Sequence, residues 1–278
     1  MLGAGVELQD RAPEISLVIE KVGFKDVKRR IRLHTPEGEI ALDVVLELYV
    51  EISGDRRGAH LSRNMEALGV LSGEGRSLEE YLEEVARKLL EKHSYARKVV
   101  TRAKTIYYVP VEFEGIRGIE PIHVEAEVQM KREEGRNWKV SVEVTGMTVC
   151  PSALEYAETT YGERVSHMQR VNLRARVVTG GEQVRIEKLA KALFASLSAP
   201  SISLLKRAEE AKLVREAFRR PKLLEDVVRE AAKNVVEEVR LRGDAWLEVE
   251  AESYESIHPH NLYAYLSARA EDVKSILT

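Results

Sequence analysis

The sequence predicts an α+β fold with antiparallel sheets. Segments of alternating polarity come in pairs along the chain, and helical periodicity is inserted between those pairs. This order is typical of α+β proteins, whereas a doubly wound α/β fold alternates single strands with single helices. The sequence also contains no GxGxxG, Walker A or GxSxG motif, so the common nucleotide-binding and hydrolase signatures do not apply.

Two halves with a similar order of elements are the second prediction. The chain has 278 residues, of which 44% are hydrophobic, which suits one large domain or two of about 140 residues each. A turn signal at 133–137 lies near the midpoint. We therefore expect a first half at 1–136 and a second half at 137–278.

The first half is predicted to contain one helix among strands rich in β-branched and aliphatic residues. Ser77 and Glu80 form the pattern of a helix capping box, and Leu82, Val85 and Leu89 follow at helical spacing, which predicts a helix over 77–93. A turn is expected at 35–38 and a loop at 53–63. The predicted strands are 15–32, 40–52, 99–113 and 122–130.

The second half is predicted to repeat the order of the first half, with strands preceding helices. Pro221 separates two helical segments, since proline cannot donate a hydrogen bond inside a continuing helix. The predicted strands are 138–149, 169–179 and 246–252. The predicted helices are 183–197, 209–218, 223–241 and a short one near 261–276.

Composition excludes several classes of protein. The net charge is −3 with both signs interspersed, so the sequence does not predict a nucleic-acid-binding protein. No secretory signal or membrane span is visible, and a single cysteine agrees with a reducing cytosol, so we expect a cytoplasmic protein without a membrane partner. Abundant Glu, Lys and Arg with scarce Asn and Gln is a bias seen in heat-adapted proteins.

The only cysteine and several histidines are the candidates for chemistry. A thiolate with imidazoles is a ligand set for Zn(II) or Fe(II), and three protein ligands leave a position for water. The residues alone also allow Cys150 to be a small buried hydrophobe and the His-Pro-His segment at 258–260 to be a solvated turn. Cys150 and His167 are 17 positions apart, so their spacing does not assemble a site. His34, His93 and His123 are expected to be structural.

At these residues the sequence resembles the type IB GTP cyclohydrolases, and most closely their archaeal branch. Cys150-Pro151, the His-x-Gln-Arg motif at 167–170 and the Glu-Ser-Ile-His-x-His motif at 255–260 occur in family order. The matching stretches are 58–63, 149–152, 166–170, 204–207, 221–229 and 255–261, and they span most of the chain. The resemblance implies the tunnelling fold, with two tandem units of antiparallel sheet plus helices per chain. It also implies a homotetramer with active sites at subunit interfaces.

The resemblance also implies roles for individual residues. The metal ligands would be Cys150, His167 and His258. Glu255 would be a further ligand or a proton shuttle, while His260 and His60 would be acid–base or phosphate-facing groups. The candidates for the triphosphate are Arg63, Arg170, Lys206 and Arg207, because concentrated negative charge is bound by fixed cationic donors.

One position departs from the bacterial members of the family. They have a glutamate shortly before the Leu-Leu-Lys-Arg stretch, where this chain has Pro200, and the archaeal branch tends to have proline there. The family commonly anchors the purine through a glutamate. Glu209, Glu210 and Glu216 are the candidates here, and the sequence does not decide among them.

The implied substrate is GTP, and the implied reaction opens the imidazole ring of its guanine and releases formate. In the archaeal branch the product is 7,8-dihydroneopterin 2′,3′-cyclic phosphate with diphosphate, and Fe(II) is the expected metal. A bacterial-type enzyme would instead form 7,8-dihydroneopterin triphosphate with Zn(II) or Mn(II). Two other classes stay open at this point: a metal-free tunnelling-fold nitrile reductase with a nucleophilic cysteine and a nicotinamide cofactor, and a non-catalytic purine or pterin binder.

Overall fold

The structure is a computed structural model that describes residues 7–35, 38–69, 74–75 and 77–277. The turn predicted at 35–38 falls in part outside these residues. After a 3-10 turn at Leu8–Asp10, the first strands are β1 (Ile19–Thr35), β2 (Gly38–Ile52) and the two-residue β3 (Glu74–Gly75). The first helices are α1 (Ser62–Gly69) and α2 (Leu78–Lys92).

Three long strands follow: β4 (Lys98–Phe113), β5 (Ile116–Lys131) and β6 (Gly135–Val149). The remaining strands are β7 (Met168–Thr179), the two-residue β8 (Ala199–Pro200), β9 (Trp246–Tyr254) and β10 (Leu262–Arg269). The remaining helices are α3 (Pro151–Tyr161), α4 (Ile186–Ala195), α5 (Arg207–Ala217), α6 (Leu224–Val239) and α7 (Ala270–Leu277). Antiparallel pairing with inserted helices confirms the predicted α+β class.

The chain divides into two compact units. The first unit comprises the described residues of Met1–Thr105 with Glu125–Lys139 and Gly180–Gln183, and the second comprises Ile106–Val124, Val140–Thr179 and Val184–Thr278. The strands β4, β5 and β6 therefore contribute residues to both units. The predicted division between residues 136 and 137 stays a prediction.

In the first unit β1 pairs antiparallel with β2, and β2 with β4. Helix α2 begins as the capping-box pattern predicts, because the side chain of Ser77 accepts a hydrogen bond from the backbone N–H of Glu80 at 3.2 Å. Its residues Leu82, Val85 and Leu89 are fully buried, which confirms the apolar stripe predicted from the sequence.

In the second unit β7 pairs antiparallel with β9, and β9 with β10. Helix α4 packs on α6, and α6 packs on β9. Burial along β7 and β9 alternates as expected for strands with one covered face, with Leu173 and Val249 fully buried. None of the described helices is long and apolar enough to cross a membrane.

The helix predicted near 261–276 is wrong in its first half. Residues Leu262–Arg269 form β10, which pairs in continuous antiparallel register with β9, and only Ala270–Leu277 are helical. Ala264 and Leu266 are half-buried while Tyr263 and Tyr265 are exposed, so this segment alternates with the period of a strand. Hydrogen bonding to β9 outweighs the helix propensity of its alanines and leucines.

His93 is buried in the first unit and gives a prediction about stability. Its side chain is 0% exposed, with Nδ1 2.8 Å from the Tyr95 hydroxyl and Nε2 2.7 Å from Oδ1 of Asn64. Burial, with smaller contributions from the positive charges of Arg63, His60 and Lys92, lowers the pKa of His93 to about 4. The ring is therefore neutral in the folded protein at neutral pH, in agreement with the predicted structural role.

The unfolded chain protonates this histidine near pH 6.5, whereas the folded protein does so near pH 4, so acid favours unfolding between these values. We expect the free energy of unfolding to fall by about 2 kcal/mol from pH 7 to pH 5 on account of His93 alone. Guanidinium unfolding at both pH values measures this. His93→Gln, which does not titrate, should show a smaller decrease, and an equal decrease in both proteins would contradict the assignment.

Candidate metal centre

Cys150 lies where β6 ends and α3 begins. It is the N-cap residue of α3, and its Sγ accepts a hydrogen bond from the backbone N–H of Ala153 at 3.5 Å. Pro151 occupies the first turn, where the missing N–H costs nothing, and Gly162 ends the helix in the left-handed conformation with φ 73°. The helix was not predicted from the sequence, and it fixes the position of the sulfur-bearing residue.

The loop after α3 returns the chain to Cys150. The backbone N–H of Cys150 donates to the carbonyl of His167 at 3.2 Å, and the hydroxyl of Ser166 donates to the carbonyl of Cys150 at 2.7 Å. Strands β6 and β7 are neighbours in the sheet. Two candidate ligands that are distant in sequence are therefore adjacent in the fold.

His167 has an unpartnered buried nitrogen. Its Nδ1 is buried and makes no hydrogen bond with any described residue. Oε2 of Glu255 lies 3.9 Å from this nitrogen, which is within ion-pair distance but too long for a hydrogen bond. Buried polar atoms in folded proteins nearly always have a partner, so this nitrogen indicates a bound group or a movement on binding.

Glu255 is the acidic group beside that nitrogen. Its side chain is only 2% exposed, and its Oε1 accepts a hydrogen bond from the hydroxyl of Ser253 at 2.7 Å. One carboxylate oxygen is thus fixed by β9, while the other faces His167. This arrangement suits a group that orients an imidazole or exchanges a proton.

His258 and His260 follow Glu255 in the exposed segment between β9 and β10. The rings of His167 and His258 lie with centroids 6.3 Å apart at 87°, and those of His258 and His260 are stacked at 5.3 Å and 14°. The structure therefore brings His167, His258, His260 and Glu255 together, with Cys150 held to the backbone of His167.

The donor types fit a divalent transition metal, and the orphaned nitrogen of His167 supports that fit. Among the described residues, however, no three Cys, His, Asp or Glu side chains converge closely enough to form a ready metal site. Pro200, in β8 beside Gly146 of β6, carries no side-chain donor. The described part of this chain thus presents the candidate ligands in an open arrangement.

Gln169, two residues after His167, is a half-buried polar residue to which no role was assigned from the sequence. Its Nε2 donates to the hydroxyl of Thr148 at 2.8 Å, while its Oε1 is buried and has no partner among the described residues. The His-x-Gln-Arg motif at 167–170, which contains Gln169, was the sequence signal for this residue.

His60 and Arg63 lie in the first unit. Both ring nitrogens of His60 face carboxylates, with Nδ1 2.9 Å from Glu7 and Nε2 3.0 Å from Asp10. The hydrogen bond from His60 holds the pKa of Asp10 below its usual value. Arg63 donates to the carbonyl of Lys92 at 3.2 Å. Neither acidic partner of His60 was singled out in the sequence.

The other predicted phosphate ligands are exposed in the second unit. Arg170 lies in β7 opposite Tyr254 of β9. Lys206 caps α5, where its backbone N–H donates to Glu209 at 2.7 Å, and Arg207 begins the helix. Their exposure is compatible with an anionic ligand, and their role stays a prediction.

Glu216 differs from the other purine-anchor candidates because it is buried and its carboxylate pairs with two arginines. Its side chain is 9% exposed, and its carboxylate accepts hydrogen bonds from Arg215 and Arg219. Burial raises its pKa, but these hydrogen bonds outweigh that effect and lower the pKa below the usual value. A purine would have to compete with both guanidinium groups, so its anchoring role stays a prediction.

Comparison with known proteins adds independent information. The family model of type I GTP cyclohydrolase folE2 matches residues 6–264. The chain is 45% identical over 278 residues to the GTP cyclohydrolase MptA of Aeropyrum pernix, with 98% of each chain covered. It is 30% identical over 286 residues to the protein of the same name from Thermoplasma volcanium, again with 98% of each covered.

Solved structures show the fold. The uricase of Arthrobacter globiformis matches with a TM-score of 0.53 and 12% identity, covering 90% of this chain and 92% of that one. A urate oxidase mutant from Bacillus sp. TB-90 matches with a TM-score of 0.51 and 13% identity, covering 91% and 99%. At these identities the likeness concerns the fold alone, and it confirms the tunnelling fold implied by the sequence resemblance.

Proposed function

The chain belongs to the type I GTP cyclohydrolase family, and from that premise we propose that it opens the guanine imidazole ring of GTP at a divalent metal and releases C8 as formate. The observation that carries the proposal is the unpartnered buried Nδ1 of His167, which lies 3.9 Å from a carboxylate oxygen of Glu255, in a residue whose backbone carbonyl accepts a hydrogen bond from Cys150. Imidazole, thiolate and carboxylate groups together form a donor set for a transition metal.

Cys150, His167 and His258 would hold the metal, and Cys150 would bind as the thiolate, so metal affinity would fall as pH falls. The metal would supply Lewis acidity that makes water a nucleophile near neutral pH. Glu255 would receive a proton from water or orient His167, and the position of its second carboxylate oxygen, which faces that ring, supports this role. His260 would exchange protons with solvent during ring opening, and its exposed position, stacked on His258, supports this role.

The candidate ligands for the phosphates of GTP are Arg63 and His60 in the first unit and Arg170, Lys206 and Arg207 in the second unit, and the candidates for the purine anchor are Glu209, Glu210 and Glu216. We propose Fe(II) as the metal, and 7,8-dihydroneopterin 2′,3′-cyclic phosphate with diphosphate as the products. The archaeal relatives named MptA and the proline at position 200 support this choice. Zn(II) or Mn(II) with a triphosphate product is the bacterial-type alternative.

We further propose that the protein is a homotetramer and that the metal centre is completed at a subunit interface. The open arrangement of the candidate ligands in the described part of the chain supports this. So does β10, which ends the sheet with exposed Tyr263 and Tyr265, since a free strand edge is a ready surface for pairing. Light scattering would show a mass of four chains.

Anaerobic incubation with GTP and Fe(II) tests the reaction. We expect one formate released per pterin formed, with the product identified by mass spectrometry as the cyclic monophosphate. A product that retains three phosphates would assign the bacterial-type reaction instead. Absence of formate after reconstitution with Fe(II), Zn(II) and Mn(II) in turn would refute the proposal.

A further inference from the structure

Three arginines surround a cavity in the second unit, and none of the three has a role in the proposed reaction. The cavity has a volume of about 400 Å³. It is lined by Arg164, Ala211, Val214, Arg215, Phe218 and Arg219. We call Arg164, Arg215 and Arg219 the arginine cluster. Arg164 belongs to the loop after α3, while the other two lie at the end of α5 and just beyond it.

A buried carboxylate fixes two members of the cluster. Oε1 of Glu216 accepts hydrogen bonds from Nε and Nη2 of Arg215, at 3.0 and 2.8 Å. Both oxygens of Glu216 accept from Nη1 of Arg219, at 2.9 and 3.1 Å. Because Glu216 is 9% exposed while each arginine side chain is 62% exposed, the carboxylate lies beneath the guanidinium groups and holds them at the surface.

Arg164 is fixed separately. Its Nη1 donates hydrogen bonds to both carboxylate oxygens of Glu158, and its Nη2 donates to the backbone carbonyl of Phe218 at 3.3 Å. The second of these bonds ties Arg164 to the residue between Arg215 and Arg219. All three guanidinium groups are therefore held in place before any ligand arrives, which reduces the entropy lost on binding.

The arginine cluster retains net positive charge and N–H groups that are free to donate hydrogen bonds to a ligand. Three arginines face two carboxylates, those of Glu158 and Glu216, so one positive charge is left over. Nη1 of Arg215 and Nη2 of Arg219 have no hydrogen-bond partner among the described residues. Such preorganised planar donors match the oxygens of phosphate groups, which arginine binds in a bidentate manner.

We propose that the arginine cluster is a phosphate-binding site for a diphosphate or triphosphate group. Glu216 is then a positioning residue for two of its guanidinium groups, which leaves Glu209 and Glu210 as the candidates for the purine anchor. A single monophosphate would leave part of the cluster unused, since the three arginines line one cavity from different segments. Whether the bound phosphates are those of GTP rests on the proposed function, but phosphate binding itself does not.

Calorimetric titration of the purified protein with inorganic diphosphate tests the site, with metal content measured before and after so that chelation is not counted as binding. We expect saturable binding, and a Kd raised about tenfold or more by Arg164→Gln and by Arg215→Lys, because each loses charge-assisted hydrogen bonds. Arg164→Gln changes only exposed partners, and Arg215→Lys leaves Arg219 on Glu216, so both variants should fold.

Arg229→Gln is the matched control, since Arg229 is also exposed and pairs with a carboxylate three residues earlier, that of Asp226. Its Kd for diphosphate should equal that of the wild type. The proposal is overturned if diphosphate does not bind saturably, or if all three variants bind it as the wild type does. This result is independent of turnover, so it stands apart from any failure to release formate.

The kinetics of GTP then identify the source of the phosphates. If both cluster variants raise KM for GTP about tenfold with little change in kcat, the site binds the phosphates of the substrate. If KM for GTP is unchanged while diphosphate binding is weakened, the site binds a separate polyphosphate, such as released diphosphate. Either pattern supports a phosphate site and assigns its ligand.

Discussion

Cys150→Ser is expected to abolish metal retention and GTP turnover while leaving the fold intact. Serine replaces a strong thiolate ligand by a hydroxyl group that stays protonated near neutral pH and binds transition metals weakly. The fold should survive because Cys150 is the N-cap of α3, where its sulfur accepts only a 3.5 Å hydrogen bond, and serine is a preferred N-cap residue. The substitution therefore removes the ligand and keeps the cap.

Three measurements on Cys150→Ser test this prediction. Metal analysis after desalting should show loss of the bound metal, formate release should fall to background, and the thermal midpoint should stay within a few degrees of the wild type. Cys150→Ala should be inactive as well but also less stable, by about 1 kcal/mol, because the cap is lost. A serine variant with full metal content and activity would show that Cys150 is not a ligand.

His34→Ala serves as the control for loss of a histidine. His34 lies in β1, is half-exposed and faces Glu39 at 3.8 Å, which is a weak surface pair. Its replacement should leave the metal content and the rate unchanged. A fall in activity there would indicate that the assay responds to general destabilisation and not to the metal centre.

The strands and amphipathic helices could be predicted because their signal is local. Alternation predicted β5 and β9, and the Ser77 capping box predicted α2, since these patterns depend on neighbouring residues only. Helix α3 was missed because its apolar stripe is short, with only Leu154 and Ala157 buried. The strand β10 was mistaken for a helix because its conformation depends on pairing with β9, which lies outside any local window.

The candidate site could be predicted only in part for the same reason. The resemblance supplied Cys150, His167 and His258, but no spacing rule brings them together, and the contact depends on the return of the chain after α3. No sequence pattern indicated that Glu7 and Asp10 contact His60, or that Arg215 and Arg219 donate hydrogen bonds to Glu216. Such partners are set by tertiary packing and are visible only in the structure.

Glu255→Gln carries the second large expected effect, a decrease in kcat of about 10²- to 10⁴-fold, which is the usual contribution of a general acid or base. Glutamine has nearly the same shape, and its amide oxygen can still accept the hydrogen bond from Ser253. The other end of the side chain would present an NH₂ group towards Nδ1 of His167 in place of a carboxylate oxygen. The substitution thus removes a negative charge and a proton acceptor from a buried position without opening a cavity.

Metal content and the pH dependence of the rate separate the two roles proposed for Glu255. A proton shuttle predicts that the variant keeps its metal, loses kcat and loses one limb of the pH–rate profile. A direct ligand predicts loss of the metal, and an orienting partner of His167 predicts metal affinity weakened by about 10- to 100-fold. Glu252→Gln is the matched control, because Glu252 lies in β9 three residues before Glu255 and accepts a hydrogen bond from the exposed Asn261 at 2.9 Å. If both variants lose activity equally with metal retained, the effect comes from a general change around the end of β9, and Glu255 has no special role.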